Sequence, residues 1–400
     1  MRVRLTVSAE QLGTYPFRNY LPVRISFGDG VSAQLPDLLA EHGASRIFLV
    51  VDAGVEGFNP AAGALIATLA ERGITMTRYD KPAGEPTIEM FEEAIARLAG
   101  SNAQAVVAIG GGSVIDTAKS ARLCAQLGLT FRGFLDSDRS YPAPNLPLFA
   151  LPTTAGTGSE VSGGSVVFDL ATDAKFGIAN PNMRAQYALV DPLLTHSAPP
   201  ATTAYAGIDA LGQAIAAMVA VCRTPIGDAM ALEAVRLISR SIVAAYRDGS
   251  NAAARSDMAC GSMMAGLAMN ISECCAEHSL GQAIGGMFHA AHGLTIGLVL
   301  VETLDRERQY VPEQLERVAD AMGAPQDGTS DGTRALAAIS RLLTQLDFPV
   351  LSSLGVTEEH LDALSAIAVD DYSISTSPEK WTVDEVRDAF SRALALQSRA

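Results

Sequence analysis

The first half of the chain alternates between short apolar runs and longer segments in which apolar residues recur every three or four positions. A short continuous apolar run is typical of a strand buried on both faces, and the three-to-four spacing is typical of a helix with one buried side. The pattern predicts strands over 46–51, 75–80, 105–109 and 148–151, and helices over 61–72 and 87–98. Strands that alternate with helices indicate a parallel sheet covered by helices.

Beyond Pro192 the apolar residues keep the helical spacing, and the sequence shows neither strand-like alternation nor an internal repeat. The spacing predicts helices over 204–221, 228–247, 253–282, 334–346 and 383–396. A chain of 400 residues exceeds what one hydrophobic core usually supports. We therefore predict two domains, an α/β domain over residues 1–193 and an all-α domain over residues 194–400.

Composition and charge narrow the class of protein. The chain is 48% apolar and 18% charged, as globular proteins are, and its formal net charge is −15 without a Lys/Arg cluster. This charge argues against nucleic acid and acidic membranes as partners. No apolar run is long enough to span a membrane, the N-terminus lacks a signal-peptide core, and the five cysteines show no CxxC spacing. We expect a cytoplasmic protein without a nucleic-acid or membrane partner.

Two loops of small residues follow two of the predicted strands. Gly110, Gly111, Gly112 and Ser113 follow the strand over 105–109, and the segment 152–162 follows the strand over 148–151. Backbone N–H groups at a helix N-terminus favour a pyrophosphate, and glycines let the backbone approach it closely. The spacing is not GxGxxG, so a tight structural turn is the alternative. Lys119, further along, is expected to point to solvent.

The second loop strengthens the cofactor interpretation. Thr153, Thr154, Thr157 and Ser159 are four hydroxyls interleaved with glycines, although a hydrophilic surface loop has the same composition. Parallel strands deliver both loops to the same edge of the sheet, where open α/β sheets bind ligands. Asp52 ends the first strand; a carboxylate there typically accepts from ribose hydroxyls and favours NAD over NADP, whereas a solvated loop aspartate is the alternative.

Histidines and one aspartate in the second half suggest a metal site. Three of the six histidines lie within fifteen residues: His278, His289 and His292. Asp209 lies on a predicted helix with Gln213 one turn further along the same face. One carboxylate and two imidazoles suit a catalytic divalent metal with an open position. Ordinary polar residues of a helical domain are the alternative.

These motifs resemble the iron-containing (group III) alcohol dehydrogenases over nearly the whole chain. The resemblance is carried by 22–28, 85–87, 110–119, 152–161, 189–192, 207–211, His278 and His292-Gly293. It implies a Rossmann-like N-terminal domain with a parallel sheet, an all-helical C-terminal domain and a cleft between them. The activity that it implies is NAD(P)-dependent interconversion of a small alcohol and its aldehyde or ketone, assisted by a divalent metal, iron or zinc.

The resemblance also implies site residues. The implied cofactor-binding positions are Asp52, Gly110, Gly111, Gly112, Ser113, Thr153, Thr154, Thr157, Lys175 and Leu189. The implied metal-ligand positions are Asp209, Gln213, His278 and His292. The family usually has histidine where this chain has Gln213. A neutral amide is a weaker ligand than imidazole, so the metal either relies on the other three ligands with water or has been lost.

A second departure concerns the substrate pocket. Gln282 stands where the family usually has a histidine. The candidate catalytic residues are therefore Gln282, as a hydrogen-bond donor to a developing oxyanion, and His289, as a replacement proton relay. Glu273 and Glu277 lie beside His278 where the family is usually apolar. We expect them on a solvated helix face; the alternative is that one of them orients a ligand or serves as a ligand itself.

Other functions remain open. The intact Asp209/His278/His292 set argues against a metal-independent reductase of the maleylacetate-reductase type. A lyase resembling dehydroquinate synthase would need a Lys/Arg-rich cradle, yet residues 200–300 contain five arginines outside the ligand motifs and no lysine. A relative that has lost catalysis would explain why Gln213 and Gln282 stand where the family usually has histidine. Apolar helices in excess of one core suggest a homodimer.

Overall fold

A computed structural model describes Phe17, residues 19–137 and residues 141–396. The extreme N-terminus, where the sequence shows no signal-peptide core, lies outside the described residues. The chain divides into two compact units. The first contains Leu21–Pro199 and Asp248–Met263, and the second contains Pro200–Arg247 and the described residues from Met264 onward. The domain limits 1–193 and 194–400 stay a prediction.

The first unit is an α/β structure. Its strands are β1 (Arg24–Phe27), β2 (Arg46–Asp52), β3 (Thr75–Lys81), β4 (Ala105–Gly110), β5 (Leu148–Pro152), β6 (Gly164–Asp169), β7 (Ala174–Ala179) and β8 (Tyr187–Val190). Its helices are α1 (Leu35–Glu41), α2 (Val55–Phe58), α3 (Pro60–Glu71), α4 (Ile88–Ala99), α5 (Gly112–Leu127) and α6 (Phe131–Leu135). Six strands form one parallel sheet in the order β1-β8-β5-β4-β2-β3, and β6 pairs with β7 in an antiparallel hairpin.

The central strands are buried on both faces. All six residues of β4 and five consecutive residues of β2 are buried. Alternate residues of these strands contribute to two apolar clusters, one with Phe48 and Val106 and the other with Leu49 and Val107. Burial on both faces explains why the strands read as continuous apolar runs. The predicted parallel α/β architecture is confirmed.

The remaining helices begin at Pro200. They are α7 (Pro200–Val219), α8 (Pro225–Arg247), α9 (Ala252–Ser272), α10 (Ala276–Phe288), α11 (His292–Glu307), α12 (Pro312–Ala321), α13 (Thr333–Gln345), α14 (Leu361–Asp370) and α15 (Val383–Ala395). The strands of the structure all precede Pro200 within the described ranges, so the predicted helical character of this part is confirmed. In the same ranges, none of the helices is long and apolar enough to cross a membrane.

One predicted helix is wrong. The segment 253–282 is not continuous, because α9 ends at Ser272 and α10 begins at Ala276. Glu273 adopts the left-handed conformation with φ 67°, and Cys275 is extended with φ −127°. Neither conformation can continue an α-helix. The break places Glu277 and His278 in the first turn of a new helix.

Candidate active site

The glycine turn after β4 lies beside the hydroxyl-rich loop after β5. The two strands pair in parallel, so that Gly110 lies opposite Pro152. The backbone N–H of Thr153 donates to the Gly110 carbonyl at 3.0 Å. The two loops therefore lie together at the carboxyl ends of adjacent strands, as the alternation of strands and helices predicted.

Glycine is required in this turn by close packing between the loops. A Cβ atom on Gly112 would lie 2.5 Å from Thr157 Oγ1, and one on Gly111 would lie 3.3 Å from Thr154 Oγ1. Helix α5 begins at Gly112, with Ser113 in its first turn, and no side chain of the described residues caps it. Uncapped N–H groups and the helix dipole together favour an anion at this point.

Asp52 lies at the end of β2, next to this turn. It pairs across the sheet with Lys81, and the backbone N–H of Gly111 contacts its carboxylate. Burial raises the pKa of Asp52, and the Lys81 charge and the Gly111 N–H partly oppose the shift. Lys81 donates to the carbonyls of Pro82 and Gly84, at 2.8 and 2.6 Å. Asp52 is therefore held in place beside the turn.

Part of the second motif serves packing. Ser159 donates to Asp116 at 2.5 Å, and Lys119 forms an ion pair with the same carboxylate at 3.2 Å. Lys119 is fully buried and donates to the carbonyls of Ser162 and Gly164. The expectation that Lys119 points to solvent is wrong, because these carbonyls and Asp116 satisfy its ammonium inside the unit.

The two remaining candidate cofactor positions differ in character. Lys175 lies on β7 with a buried side chain, and its ammonium pairs with Glu85 at 3.2 Å. Leu189 lies on β8 within the apolar cluster that also contains Leu49 and Val107. The Leu189 side chain is therefore committed to the core, and its backbone alone remains to contact a ligand.

Asp209, His278 and His292 converge in the second unit. Asp209 lies on α7, His278 in the first turn of α10 and His292 at the start of α11. Asp209 Oδ1 lies 3.6 Å from His278 Nε2 and 3.7 Å from His292 Nε2. These separations are too long for good hydrogen bonds. Two ligands of one tetrahedral zinc ion lie about 3.4 Å apart for bonds of about 2.1 Å, so the three atoms have the spacing of metal ligands.

Gly293 explains how α11 reaches this position. A Cβ atom on residue 293 would lie 2.2 Å from the Tyr205 carbonyl oxygen and 3.2 Å from Asp209 Cβ. The start of α11 therefore packs directly on the backbone of α7. This close approach brings His292 to Asp209.

The residues present fit a divalent cation. Within the described ranges, neither Asp209 Oδ1 nor His278 Nε2 has a hydrogen-bond partner, although both are buried. Unsatisfied buried polar atoms of this kind are rare in folded proteins and often mark an ion site. The Gln213 amide donates to the other carboxylate oxygen, Asp209 Oδ2, at 3.2 Å. Gln213 thus holds the carboxylate with Oδ1 toward the two imidazoles.

The electrostatics of the cluster also favour positive charge. Burial raises the pKa of Asp209, but the neighbouring His292 and His278 outweigh burial and lower the pKa overall. Burial lowers the pKa of His278, but the Cys274 thiol and the Asp209 carboxylate raise it well above its ordinary value. Asp209 and His278 therefore stabilise each other's charged forms, and a bound cation would take the place of the proton on His278 Nε2 beside this carboxylate.

The structure separates the two candidate catalytic residues. Gln282 lies one turn beyond His278 on α10, and its side chain is buried, with an Oε1 that no described residue contacts through a hydrogen bond. His289 is exposed at the end of α10, in the left-handed conformation with φ 51°. Gln282 therefore shares the buried face of His278, whereas His289 lies at the surface.

Contrary to the expectation from the sequence, Glu277 does not lie on a solvated helix face. Its side chain is 1% exposed. Glu277 Oε1 accepts a hydrogen bond from His278 Nδ1 at 2.7 Å and another from the Cys275 N–H at 3.2 Å. Glu273 lies in the break before α10 and not on a helix face. The expectation of a solvated face is wrong for Glu277, and its contact with His278 fits the alternative that one of the two glutamates orients a ligand.

Comparison with known proteins defines the class. The chain matches the family model for iron-containing alcohol dehydrogenase over residues 22–192, and the model for the C-terminal part of that family over residues 203–394. It is 32% identical to alcohol dehydrogenase 4 of Saccharomyces cerevisiae over 94% of this chain and 97% of the relative. It is also 32% identical to choline dehydrogenase of Bacillus subtilis over 88% of each chain.

Solved structures agree with this match. A 1,3-propanediol oxidoreductase superimposes with a TM-score of 0.89 at 28% identity, covering 95% of this chain and all of that one. A sulfoacetaldehyde reductase from Bifidobacterium kashiwanohense, solved in complex with NAD+, gives 0.86 at 25% identity over 96% of this chain and all of that one. The protein is an oxidoreductase that interconverts an alcohol and its carbonyl compound by hydride transfer with a nicotinamide cofactor. The chain belongs to the iron-containing alcohol dehydrogenase family.

Proposed function

We propose that this chain uses NAD(H) in preference to NADP(H) to interconvert a small alcohol and its aldehyde or ketone. A divalent ion held by Asp209, His278 and His292 assists the reaction. The convergence of two imidazole nitrogens, 3.6 and 3.7 Å from one oxygen of the buried Asp209 carboxylate, carries the proposal. The proximity of Asp52 to the glycine turn supports the cofactor preference.

The α/β unit binds the cofactor. The N–H groups of Gly112 and Ser113 bind the diphosphate at the start of α5, and Thr154 and Thr157 add hydroxyl donors from the facing loop. Gly111, whose N–H contacts Asp52, lets the backbone approach the diphosphate closely. Thr153 is held beside them by its bond to Gly110. The carboxylate of Asp52 accepts from the ribose hydroxyls and repels a 2′-phosphate.

Lys175 and the backbone of Leu189 complete the proposed set of cofactor contacts. The ammonium of Lys175 is buried and balanced by Glu85, so it offers a positive charge without the freedom of a surface lysine. Leu189 contributes through main-chain groups because its side chain is in the core.

The helical unit holds the ion and orients the substrate oxygen. A divalent ion bound there supplies Lewis-acid polarisation of the carbonyl oxygen, while the nicotinamide supplies the hydride. Asp209 and the two imidazoles hold the ion, and Gln213 fixes the orientation of the carboxylate. The Gln282 side chain offers an amide donor to the substrate oxygen. His289, exposed at the helix end, exchanges the proton with solvent.

The donor set is compatible with iron or zinc. Two imidazoles and one carboxylate with open positions bind Fe(II) in many enzymes and Zn(II) in others. Gln213 adds at most a weak neutral ligand. Elemental analysis of the purified protein, and reconstitution of the chelated protein with each ion, distinguishes the two metals.

One experiment tests the function as a whole. Purified protein is assayed with a panel of small aldehydes and NADH or NADPH, before and after chelation, with H278A as the control for metal loss. We expect NADH-dependent reduction that chelation and H278A abolish and that added metal restores only in the parent. Full activity in metal-free protein would instead favour the metal-independent reductase, and no turnover with any substrate would favour a non-catalytic relative.

Location and assembly remain proposals. The free cysteines of the described residues support a cytoplasmic protein, and the apolar helices support a homodimer. Size-exclusion chromatography coupled to light scattering measures the mass of the protein in solution, which is compared with the 41.8 kDa of one chain.

A further inference from the structure

A buried glutamate contacts the candidate metal ligand His278 from the side opposite the cluster. Glu277 Oε1 lies 2.7 Å from His278 Nδ1, while His278 Nε2 lies 3.6 Å from Asp209 Oδ1. The two ring nitrogens therefore face two different carboxylates. Glu277 Oε1 accepts a hydrogen bond from the proton-bearing Nδ1, so Nε2 is the nitrogen that faces Asp209 and His292 and that would bind an ion after losing its proton.

The local backbone explains why Glu277 can do this. The left-handed Glu273 ends one helix, and Ala276 begins the next, so that Glu277 lies in the first turn of α10. A carboxylate is stabilised there by the helix dipole. Its Oε1 also accepts the Cys275 N–H at 3.2 Å, which fixes the side chain from a second direction.

The burial of Glu277 beside a second buried glutamate, Glu307, does not favour the stability of the fold. Glu277 is 1% exposed and Glu307 is fully buried, and ligand-type atoms of these carboxylates and the Cys275 thiol lie within 4.8 Å of one another. Burial, and then the Glu277 carboxylate, raise the pKa of Glu307 to about 8. Burial of two neighbouring glutamates costs stability, which points to a role other than stabilising the fold. Capping of α10 does not require such burial, since an exposed side chain caps a helix equally well.

We propose that Glu277 is a positioning residue for the metal site: it fixes the tautomer and the ring orientation of His278 so that Nε2 points to the ion. This inference rests on the proposed role of His278 as a metal ligand. A hydrogen-bonded partner behind a ligating histidine raises its basicity, and loss of such a partner typically weakens metal binding by about 10- to 100-fold.

The test compares three variants of the full chain. E277L removes the acceptor for His278 Nδ1, whereas E277Q retains an amide oxygen that can accept the same hydrogen bond. E307Q is the matched control, because it makes the same change at the neighbouring buried glutamate, which is already protonated at neutral pH and is not the acceptor for His278 Nδ1. Zn²⁺ affinity is measured by competition with a chromophoric chelator on protein shown to be folded by circular dichroism. The melting temperature is measured with and without Zn²⁺.

We expect E277L to weaken Zn²⁺ binding by about 10- to 100-fold, E277Q to restore most of the loss, and E307Q to leave the affinity within about threefold of the parent. The increase in melting temperature that Zn²⁺ produces should shrink in E277L, because stabilisation by a ligand follows its affinity. The visible absorption of Co²⁺-loaded protein should change in E277L and return in E277Q.

Other outcomes overturn the proposal. If Glu277 served only to cap α10, E277L would lower the melting temperature equally with and without Zn²⁺, and its affinity would equal that of the parent. If E277L does not fold, E277Q decides the question. A Zn²⁺ affinity of E277Q as low as that of H278A would refute the proposal. A parent protein that binds no metal would refute the proposed function as well as this inference, whereas unchanged affinity in E277L would refute this inference alone.

Discussion

Replacing Gly112 with alanine tests whether the glycine turn is both a packing contact and a cofactor site. The added Cβ atom would lie 2.5 Å from Thr157 Oγ1, 2.6 Å from its Cγ2 and 3.0 Å from its Cβ. Rotation of the threonine side chain cannot relieve the last contact. Overpacking of this kind destabilises a protein by about 1–3 kcal/mol. At about 2–4 °C per kcal/mol for a domain of 150 to 250 residues, we expect the melting temperature to fall by about 2–12 °C.

Cofactor binding should weaken separately from stability. Alanine keeps the backbone N–H, but the turn displaced by the added methyl should lose about one hydrogen bond to the diphosphate. Such a bond contributes about 1.5–3 kcal/mol, which corresponds to a factor of about 10 to 150 in the dissociation constant of NADH. G57A is the matched control, because a Cβ atom on Gly57 meets nothing within 4 Å. G111A is the intermediate case, with a nearest contact of 3.3 Å. Fluorescence titration with NADH and thermal melting measure the two effects.

A double variant separates the two contributions. T157A removes Oγ1 and Cγ2, so G112A/T157A should recover most of the lost stability but not the NADH affinity, because the Thr157 hydroxyl is also lost. The free energies of two contacting residues do not add, and the difference measures the contact. A G112A protein with the stability and NADH affinity of G57A would refute both the packing argument and the site.

Three further changes test other parts of the molecule. D52A should raise the ratio of kcat/KM for NADPH to that for NADH by about tenfold or more, because the charge that repels a 2′-phosphate is gone; an unchanged ratio in steady-state assays would contradict this role. Burial raises the pKa of Glu160 to about 7 from 4.5, so the folded state holds this proton more tightly, and the free energy of unfolding should fall by about 3 kcal/mol as the pH rises from about 4.5 to 7. Urea titrations at several pH values should show that E160Q removes this dependence of the unfolding free energy on pH. The same dependence in both proteins would mean that another group causes it. Q213H should tighten Zn²⁺ binding by at least about tenfold, because imidazole is a stronger ligand than a neutral amide; equal affinity in a chelator competition would place residue 213 outside the coordination sphere.

The parallel sheet was predictable because its central strands are buried on both faces. β2 and β4 are continuous apolar runs, and the structure extends each by only one residue. The β6–β7 hairpin was not predicted, since Gly164–Asp169 and Ala174–Ala179 mix buried and accessible positions without a clear period. Their pairing depends on contacts that local spacing does not encode.

The candidate metal cluster was predictable as a set of residue types but not as a geometry. Scarce histidines near one another and one helical aspartate pointed to it, yet the predicted continuous helix over 253–282 would have placed His278 in mid-helix. The left-handed Glu273 decides the outcome, and nothing in its identity announces that conformation. Lys119 shows the same limit, because a lysine that pairs with Asp116 inside the unit cannot be distinguished by sequence from one in solvent.

The glycines of the two motifs mark places where backbone must approach another element, and this is why the motifs could be recognised at all. Gly112 meets Thr157 in the α/β unit, and Gly293 meets the Tyr205 carbonyl in the helical unit. In both cases a side chain would collide with an element that carries a candidate site residue, Thr157 in the first case and Asp209 in the second, so glycine is required for steric reasons. Glu277 contacts the site through a hydrogen bond instead. Many other residue types would fit at position 277 without a steric clash, although they would not form this bond. A steric requirement therefore leaves a readable sequence pattern, whereas a positioning hydrogen bond becomes visible only when the fold shows which ring it contacts.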